Sequence, residues 1–213
     1  MMSQDTSGAA MVYVVDDDDL VRRATARAFK SLGFEVASFA DAQQFLDHDR
    51  LDRPGCLILD VNMPGLSGIE LQDQLTAHQI DLPIVFISAH GDIPMSVKAM
   101  KAGAVDFLPK PVDQQQLIQT VQQAIDRHAF ERWDNAGLTE FRQRVDSLSK
   151  RESEVLELVV QGLLNKQIAR RLGITEYTVK VHRRHVMDKT EADSLAQLVR
   201  LCERSGVATP PRE

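Results

Sequence analysis

From Met11 onward, short apolar runs alternate with longer stretches in which apolar residues recur at helical spacing. The runs predict strands over Met11–Val15, Phe34–Ser38, Cys56–Asp60, Ile84–Ser88 and Val105–Leu108. They are rich in Val, Ile, Leu and Phe, as parallel strands buried on both faces should be. Helices fill the intervals, which predicts a doubly wound α/β domain with a five-stranded parallel sheet, flavodoxin-like in its order 2-1-3-4-5. Gly33 and Gly103 stand where helices should end, and Ser67 with Glu70 forms a capping-box pattern at the start of the third helix.

The apolar period fades over Asp126–Ser147, a stretch of mixed charge containing Asn135-Ala136-Gly137, and this predicts a linker with partial helical character. Four helical segments follow, over Lys150–Gln161, Lys166–Leu172, Glu176–Thr190 and Ser194–Ser205. Ser149 with Glu152 makes a second capping box, while Gly162 and Gly173 punctuate the next helices. The expected layout is an α/β domain over 1–127, a linker over 128–147, a small all-α domain over 148–206 and a tail over 207–213.

Composition narrows the class. With 43% hydrophobic and 26% charged residues the chain can bury a core, so disorder and fibrous repeats are excluded. No apolar run approaches the ~20 residues of a membrane helix, so we expect a soluble cytoplasmic protein without membrane contact. Cys56 and Cys202 lie far apart with no metal-like spacing, which fits a reducing compartment. The net charge of −6 hides an asymmetry, since residues 1–126 carry −9 and residues 127–213 carry +3. Within Gln161–Thr190, seven basic residues face two acidic ones, an electrostatic footprint for a polyanion.

In an open parallel sheet the working crevice lies at the carboxyl ends of the strands, at the point where strand order reverses. Asp16 and Asp17 end the first strand and Asp60 ends the third, so three carboxylates should converge there. Such a cluster stays ionised at neutral pH only beside a compensating cation. Mg²⁺ suits it, because that ion takes a few carboxylates and a carbonyl and keeps room for phosphate oxygens. Ser88, ending the fourth strand, and Lys110, just past the fifth, would supply the hydroxyl and ammonium that a phosphoryl group needs.

With Val14-Val15-Asp16-Asp17, Leu59-Asp60-Val61-Asn62-Met63-Pro64-Gly65, Ser88-Ala89 and Lys110-Pro111 in view, the segment from Met11 to Arg127 resembles the receiver domain of two-component response regulators. The resemblance implies that Asp60 takes a phosphoryl group from a sensor histidine kinase. It further implies that Asp16, Asp17, Asp60 and the backbone carbonyl of Asn62 hold Mg²⁺, with Ser88 and Lys110 on the phosphoryl group. Phe107 falls at the family's aromatic switch position, although a core aromatic would occupy the same place. Receivers of this family also tend to have a cis bond before the proline at Pro111.

In the basic region, Lys166–Leu172 and Glu176–Thr190 flank Gly173-Ile174-Thr175, a spacing suited to a helix-turn-helix. Lys180, Arg183 and Arg184 share a face of the second helix, with Val181 and His182 beside them. How Val179, Val181 and Val186 divide between core and groove is open from spacing alone. Leu148-Ser149-Lys150-Arg151-Glu152, Asn165-Lys166-Gln167-Ile168-Ala169, Leu172-Gly173-Ile174 and Thr178-Val179-Lys180-Val181-His182 resemble the LuxR-type helix-turn-helix of the NarL/FixJ class. That resemblance implies base or groove contacts from Lys180, Val181 and Arg184, and phosphate contacts from Lys166, Thr178, His182 and Arg183; a packed surface histidine is the other reading of His182. Thr190 and Ala192 stand where the family carries larger apolar residues, which calls the packing of the last helix into question and shifts the expected weight of dimerisation onto the receiver.

Together these readings predict a phosphorylation-gated transcription regulator that binds promoter DNA as a homodimer and acts on the transcription machinery. A regulator that works without phosphorylation, using its receiver for dimerisation, is the alternative. An aspartyl phosphatase would want a second carboxylate two residues after Asp60, where Asn62 stands, so no enzyme beyond self-phosphorylation and slow dephosphorylation is expected.

Overall fold

The computed structural model describes residues 10–48, 53–89 and 93–207. Two compact units divide the chain, the first ending at Arg132 and the second beginning at Trp133.

The first unit alternates β1 (Met11–Val15), α1 (Asp19–Ser31), β2 (Glu35–Phe39), α2 (Ala42–Leu46), β3 (Gly55–Asp60), α3 (Gly68–Ala77), β4 (Ile84–Ser88), α4 (Ile93–Lys101) and β5 (Asp106–Pro109), followed by α5 (Gln114–Asp146). The sheet is parallel in the order β2-β1-β3-β4-β5, as the pattern predicts. Its strand residues divide by parity. Val12, Val14, Ile58, Val85 and Ile87 meet Phe29 of α1 and Leu117, Val121 and Ile125 of α5. Tyr13, Val15, Leu57, Leu59 and Phe86 meet Phe45, Leu71, Leu75 and Ala99 on the opposite face. Both faces are covered, which is why these strands read as unbroken apolar runs.

Two strands begin one residue later than predicted. Phe34 sets its ring edge-on against Phe29, 5.8 Å between centroids, closing the α1–β2 turn before the ladder starts. Val105 leads into β5 by a single bond from its N–H to the Ile84 carbonyl.

The larger difference concerns residues 128–147. Helix α5 runs without a break to Asp146, and its portion from Trp133 belongs to the second unit. Leu117, Val121 and Ile125 fill the sheet core, whereas Phe141 and Val145 fill another one. One helix serving two cores has no single apolar stripe, so periodicity understates it.

The second unit adds α6 (Lys150–Val160), α7 (Asn165–Leu172), α8 (Glu176–Thr190) and α9 (Leu195–Ser205). The Ser149–Glu152 capping box opens α6 as expected. Gly173, at φ +67°, takes the left-handed turn that lets α7 stop and α8 start three residues later. Helix α9 packs into the core despite small residues at 190 and 192, although a cavity of about 500 Å³ remains beside Thr190 and Leu201. Leu198 and Cys202 are fully buried with Phe141, Val145, Leu156 and Val186, so α5 supplies bulk on that side. Thr190 is buried with its hydroxyl donating to the Val186 carbonyl at 2.7 Å. The expected tail beyond Val207 lies outside the described residues.

Candidate functional site

The register of the sheet builds the acidic crevice. Val15 pairs with Leu59, so Asp16 and Asp60 leave adjacent strands side by side. Asp16 is 0% and Asp60 5% exposed, while Asp17 is open to solvent. Each of the three offers a carboxylate oxygen within 4.8 Å of the other two. Ser88 pairs with Pro109 at the far side, and the Lys110 N–H donates to the Ser88 carbonyl at 2.8 Å. The Lys110–Pro111 peptide bond is cis. The Lys110 ammonium donates to Asp16 Oδ2 at 2.8 Å and to Asp60 Oδ2 at 2.7 Å.

Burial pushes the Asp16 carboxyl above the usual aspartate range, and the Lys110 ammonium offsets this only in part. For Lys110, burial works against the charged form, but the two carboxylates outweigh it and hold its pKa above the ordinary value. Three carboxylates converge here on a single ammonium, so negative charge exceeds what Lys110 alone balances. An all-oxygen, carboxylate-rich donor set with excess negative charge is what a hard divalent cation such as Mg²⁺ requires.

Asn62 touches the site twice, its N–H donating to Asp60 Oδ1 at 3.2 Å and its side-chain amide to Ser88 Oγ at 3.2 Å. Phe107 is half-buried, its ring 6.0 Å from that of Phe86. Two supporting residues escaped the sequence reading. Gly68 passes so close to the Asp60 carbonyl that a Cβ there would collide with it. Nothing in its surroundings along the chain signals this. Arg22 donates to the Asp16 carbonyl at 2.7 Å, and its position three residues after Asp19 on α1 was the available hint.

The helix-turn-helix forms from α7 and α8. Thr175 caps α8, its hydroxyl accepting from the Thr178 N–H at 3.1 Å and bonding the Thr178 hydroxyl at 2.9 Å. Val179 and Val186 go to the core, leaving Val181 half-exposed. Lys166, Lys180 and Arg184 are exposed. Arg183 departs from them. It is half-buried and donates to Asn165 Oδ1 of α7 at 3.2 Å, locking the two helices together. His182 is also half-buried, with Nδ1 enclosed and without a hydrogen-bond partner among the described residues. Tyr177, which sequence reasoning passed over, is 77% exposed and lies on the stripe of Lys180, Val181 and Arg184 at helical spacing. Glu152 is 4% exposed and receives Lys189 of α8 at 2.7 Å, joining the start of α6 to the end of α8.

A parallel sheet with a carboxylate crevice, followed by a helix-turn-helix, defines a DNA-binding response regulator, and comparison with known proteins agrees. Residues 12–122 match the response regulator receiver domain family, and residues 146–202 match the bacterial regulatory proteins of the luxR family. The chain belongs to the response regulators of the NarL/FixJ class, transcription regulators rather than enzymes in the usual sense. It is 45% identical over 204 residues to nodulation protein W of Bradyrhizobium diazoefficiens, covering 96% of this chain and 90% of that protein. The solved structure of the response regulator StyR is 51% identical with a TM-score of 0.81, spanning 92% of this chain and 99% of that one. Full-length FixJ from B. japonicum is 42% identical with a TM-score of 0.55, spanning 92% and 97%. Among the described residues no helix is long and apolar enough to cross a membrane.

Proposed function

We propose that Asp60 accepts a phosphoryl group from a sensor histidine kinase in the cytoplasm, and that this modification promotes dimerisation and promoter binding. The observation that carries the reading is the Lys110 ammonium bridging Asp16 and Asp60 at the strand-order reversal, 2.8 and 2.7 Å from their oxygens. Asp16, Asp17, Asp60 and the Asn62 carbonyl would hold Mg²⁺, consistent with three carboxylates clustered within 4.8 Å of one another. When bound, that ion supplies neutralisation of the phosphoryl oxygens.

The chain's own residues do the remainder. An Asp60 carboxylate oxygen attacks phosphorus in line, forming a P–O bond as the P–N bond to the kinase imidazole breaks and the nitrogen keeps the electron pair. Lys110, already on Asp60, follows the added negative charge. The Ser88 hydroxyl turns from Asn62 toward a phosphoryl oxygen, and Phe107 moves into the space it leaves. The altered surface is then the face of α4 and β5, where receivers would pair. Driving such an equilibrium from 1:99 to 99:1 takes ~5.5 kcal/mol of differential stabilisation, so a partial shift is compatible with signalling.

On DNA, α8 enters the major groove with Lys180, Val181 and Arg184 toward base edges, and Tyr177 extends their stripe. Lys166, Thr178, His182 and Arg183 stand nearer the phosphates, Arg183 acting through its hold on Asn165. The dimer then presents its two helices to paired half-sites and to the transcription machinery.

Sedimentation with Mg²⁺, before and after addition of beryllofluoride, tests this, with Asp60→Asn as control. Wild type alone should pass from monomer to dimer and gain DNA affinity. No change in wild type would remove the gated reading.

A further inference from the structure

We propose that Arg22 is a positioning residue whose guanidinium straps the backbone of the acidic loop, so that the Asp16 and Asp17 carboxylates are held for a divalent cation. The inference rests on the reading of that crevice as the Mg²⁺-dependent phosphoacceptor site.

Asp16 to Asp19 are four consecutive carboxylates, and their mutual repulsion favours a splayed loop. The fold opposes this from both sides. The Asp18 N–H donates to Asp16 Oδ1 at 2.9 Å, and the Asp18 side chain caps α1 by accepting from Leu20 and Val21. Arg22 closes the other side. Its Nη1 donates to the Asp16 carbonyl at 2.7 Å and, more weakly, to the Asp17 carbonyl at 3.4 Å. Its Nη2 donates to Asp19 Oδ1 at 2.6 Å, and the side chain is 15% exposed.

The two cations at this site therefore have different jobs. Lys110 occupies carboxylate oxygens of Asp16 and Asp60 directly. Arg22 binds main-chain carbonyls and the outlying Asp19, leaving the oxygens of Asp16 and Asp17 to other partners. A planar fork that stays charged at all working pH values suits this task, whereas a lysine would reach one acceptor with a less directed ammonium.

The two explanations of Arg22 predict opposite signs. A cation that acted only through its charge would repel a second cation, so its removal would tighten Mg²⁺ binding. Loss of a residue that orients the ligands weakens metal binding, typically by about 10-fold or more. Calorimetric titration of the full-length wild type, Arg22→Ala, Arg22→Gln and Arg22→Lys with Mg²⁺ separates them; circular dichroism identifies any variant that fails to fold, and Arg22→Gln is the fallback for Arg22→Ala. We expect affinity to fall about tenfold in the neutral variants and by a smaller factor in Arg22→Lys. Phosphoryl uptake from acetyl phosphate should recover at saturating Mg²⁺, because Asp60 is untouched.

Neutral variants binding as tightly as wild type, or more tightly, would overturn the role of Arg22 and leave the phosphoacceptor reading intact. Full affinity in Arg22→Lys would overturn the two-carbonyl strap, as would a loss of uptake that Mg²⁺ does not repair. A wild type that takes up no Mg²⁺ would instead bring down the reading of the crevice, and this inference with it.

Discussion

Each unit buries carboxylate beside a lysine, with opposite results. In the sheet crevice, Asp16 and Asp60 share the Lys110 ammonium, and burial keeps the Asp16 carboxyl above its ordinary range. In the second unit, Glu152 has Lys189 to itself at 2.7 Å and also accepts the Ser149 N–H at 2.8 Å. The Lys189 bond, then that backbone bond, hold its carboxyl down at about 2. The difference is one of environment, since burial dominates at Asp16 whereas the Lys189 and Ser149 hydrogen bonds dominate at Glu152. Glu152 pairs with a lysine that no other carboxylate shares among the described residues, and so ties α6 to α8. The crevice instead sets three clustered carboxylates against one lysine that two of them share.

Substitutions sharpen the contrast, the largest effect first. Asp60→Asn should abolish phosphoryl uptake on a phosphate-affinity gel, while Glu152→Gln labels like wild type; persistent labelling of Asp60→Asn would move the acceptor elsewhere. Lys110→Met strands two buried carboxylates, and we expect a loss of about 3 kcal/mol in urea unfolding, part of it restored by Mg²⁺. An unchanged midpoint would show that the ammonium is not compensating them.

Glu152→Gln should cost about 2 kcal/mol, confined to the second unit and visible as faster hydrogen exchange in α6 and α8. Because the folded carboxyl is depressed, its stabilisation is complete above the ordinary glutamate value of 4.5 and is lost as pH falls toward about 2. Wild type should therefore lose stability across that window more steeply than Glu152→Gln, and parallel curves would contradict the assignment. The smallest effects concern DNA. Lys180→Ala should lose about 1–3 kcal/mol of binding together with sequence discrimination, whereas Lys166→Ala weakens all sequences alike and lowers the salt slope by about one. Equal loss on every sequence for Lys180→Ala would remove it from base reading.

Much of this was legible beforehand. Strand-end positions alone brought Asp16, Asp17, Asp60, Ser88 and Lys110 to one crevice, because a parallel sheet puts every carboxyl end on the same edge. Thr175 and Gly173 marked the turn of the helix-turn-helix for equally local reasons. Missed features depend on partners distant in sequence or on space. Arg183 reads as one more base of a basic face until Asn165, 18 residues earlier, accepts from it. Gly68 reads as a helix start until the Asp60 carbonyl comes against it. Helix α5 looks like a linker because its two ends answer to different cores.

By itself the sequence determined which strands form, which strand ends carry charge and where the basic helix lies, since periodicity, caps and turn residues act over a few positions. Only the tertiary structure decided that one lysine serves two carboxylates while another serves one, that Phe141 and Val145 pack with Leu198 and Cys202 of α9, and that Arg22 reaches the Asp16 carbonyl. Those outcomes turn on how charge and volume are matched between segments far apart in the chain, and burial and distance set that match once the chain has folded.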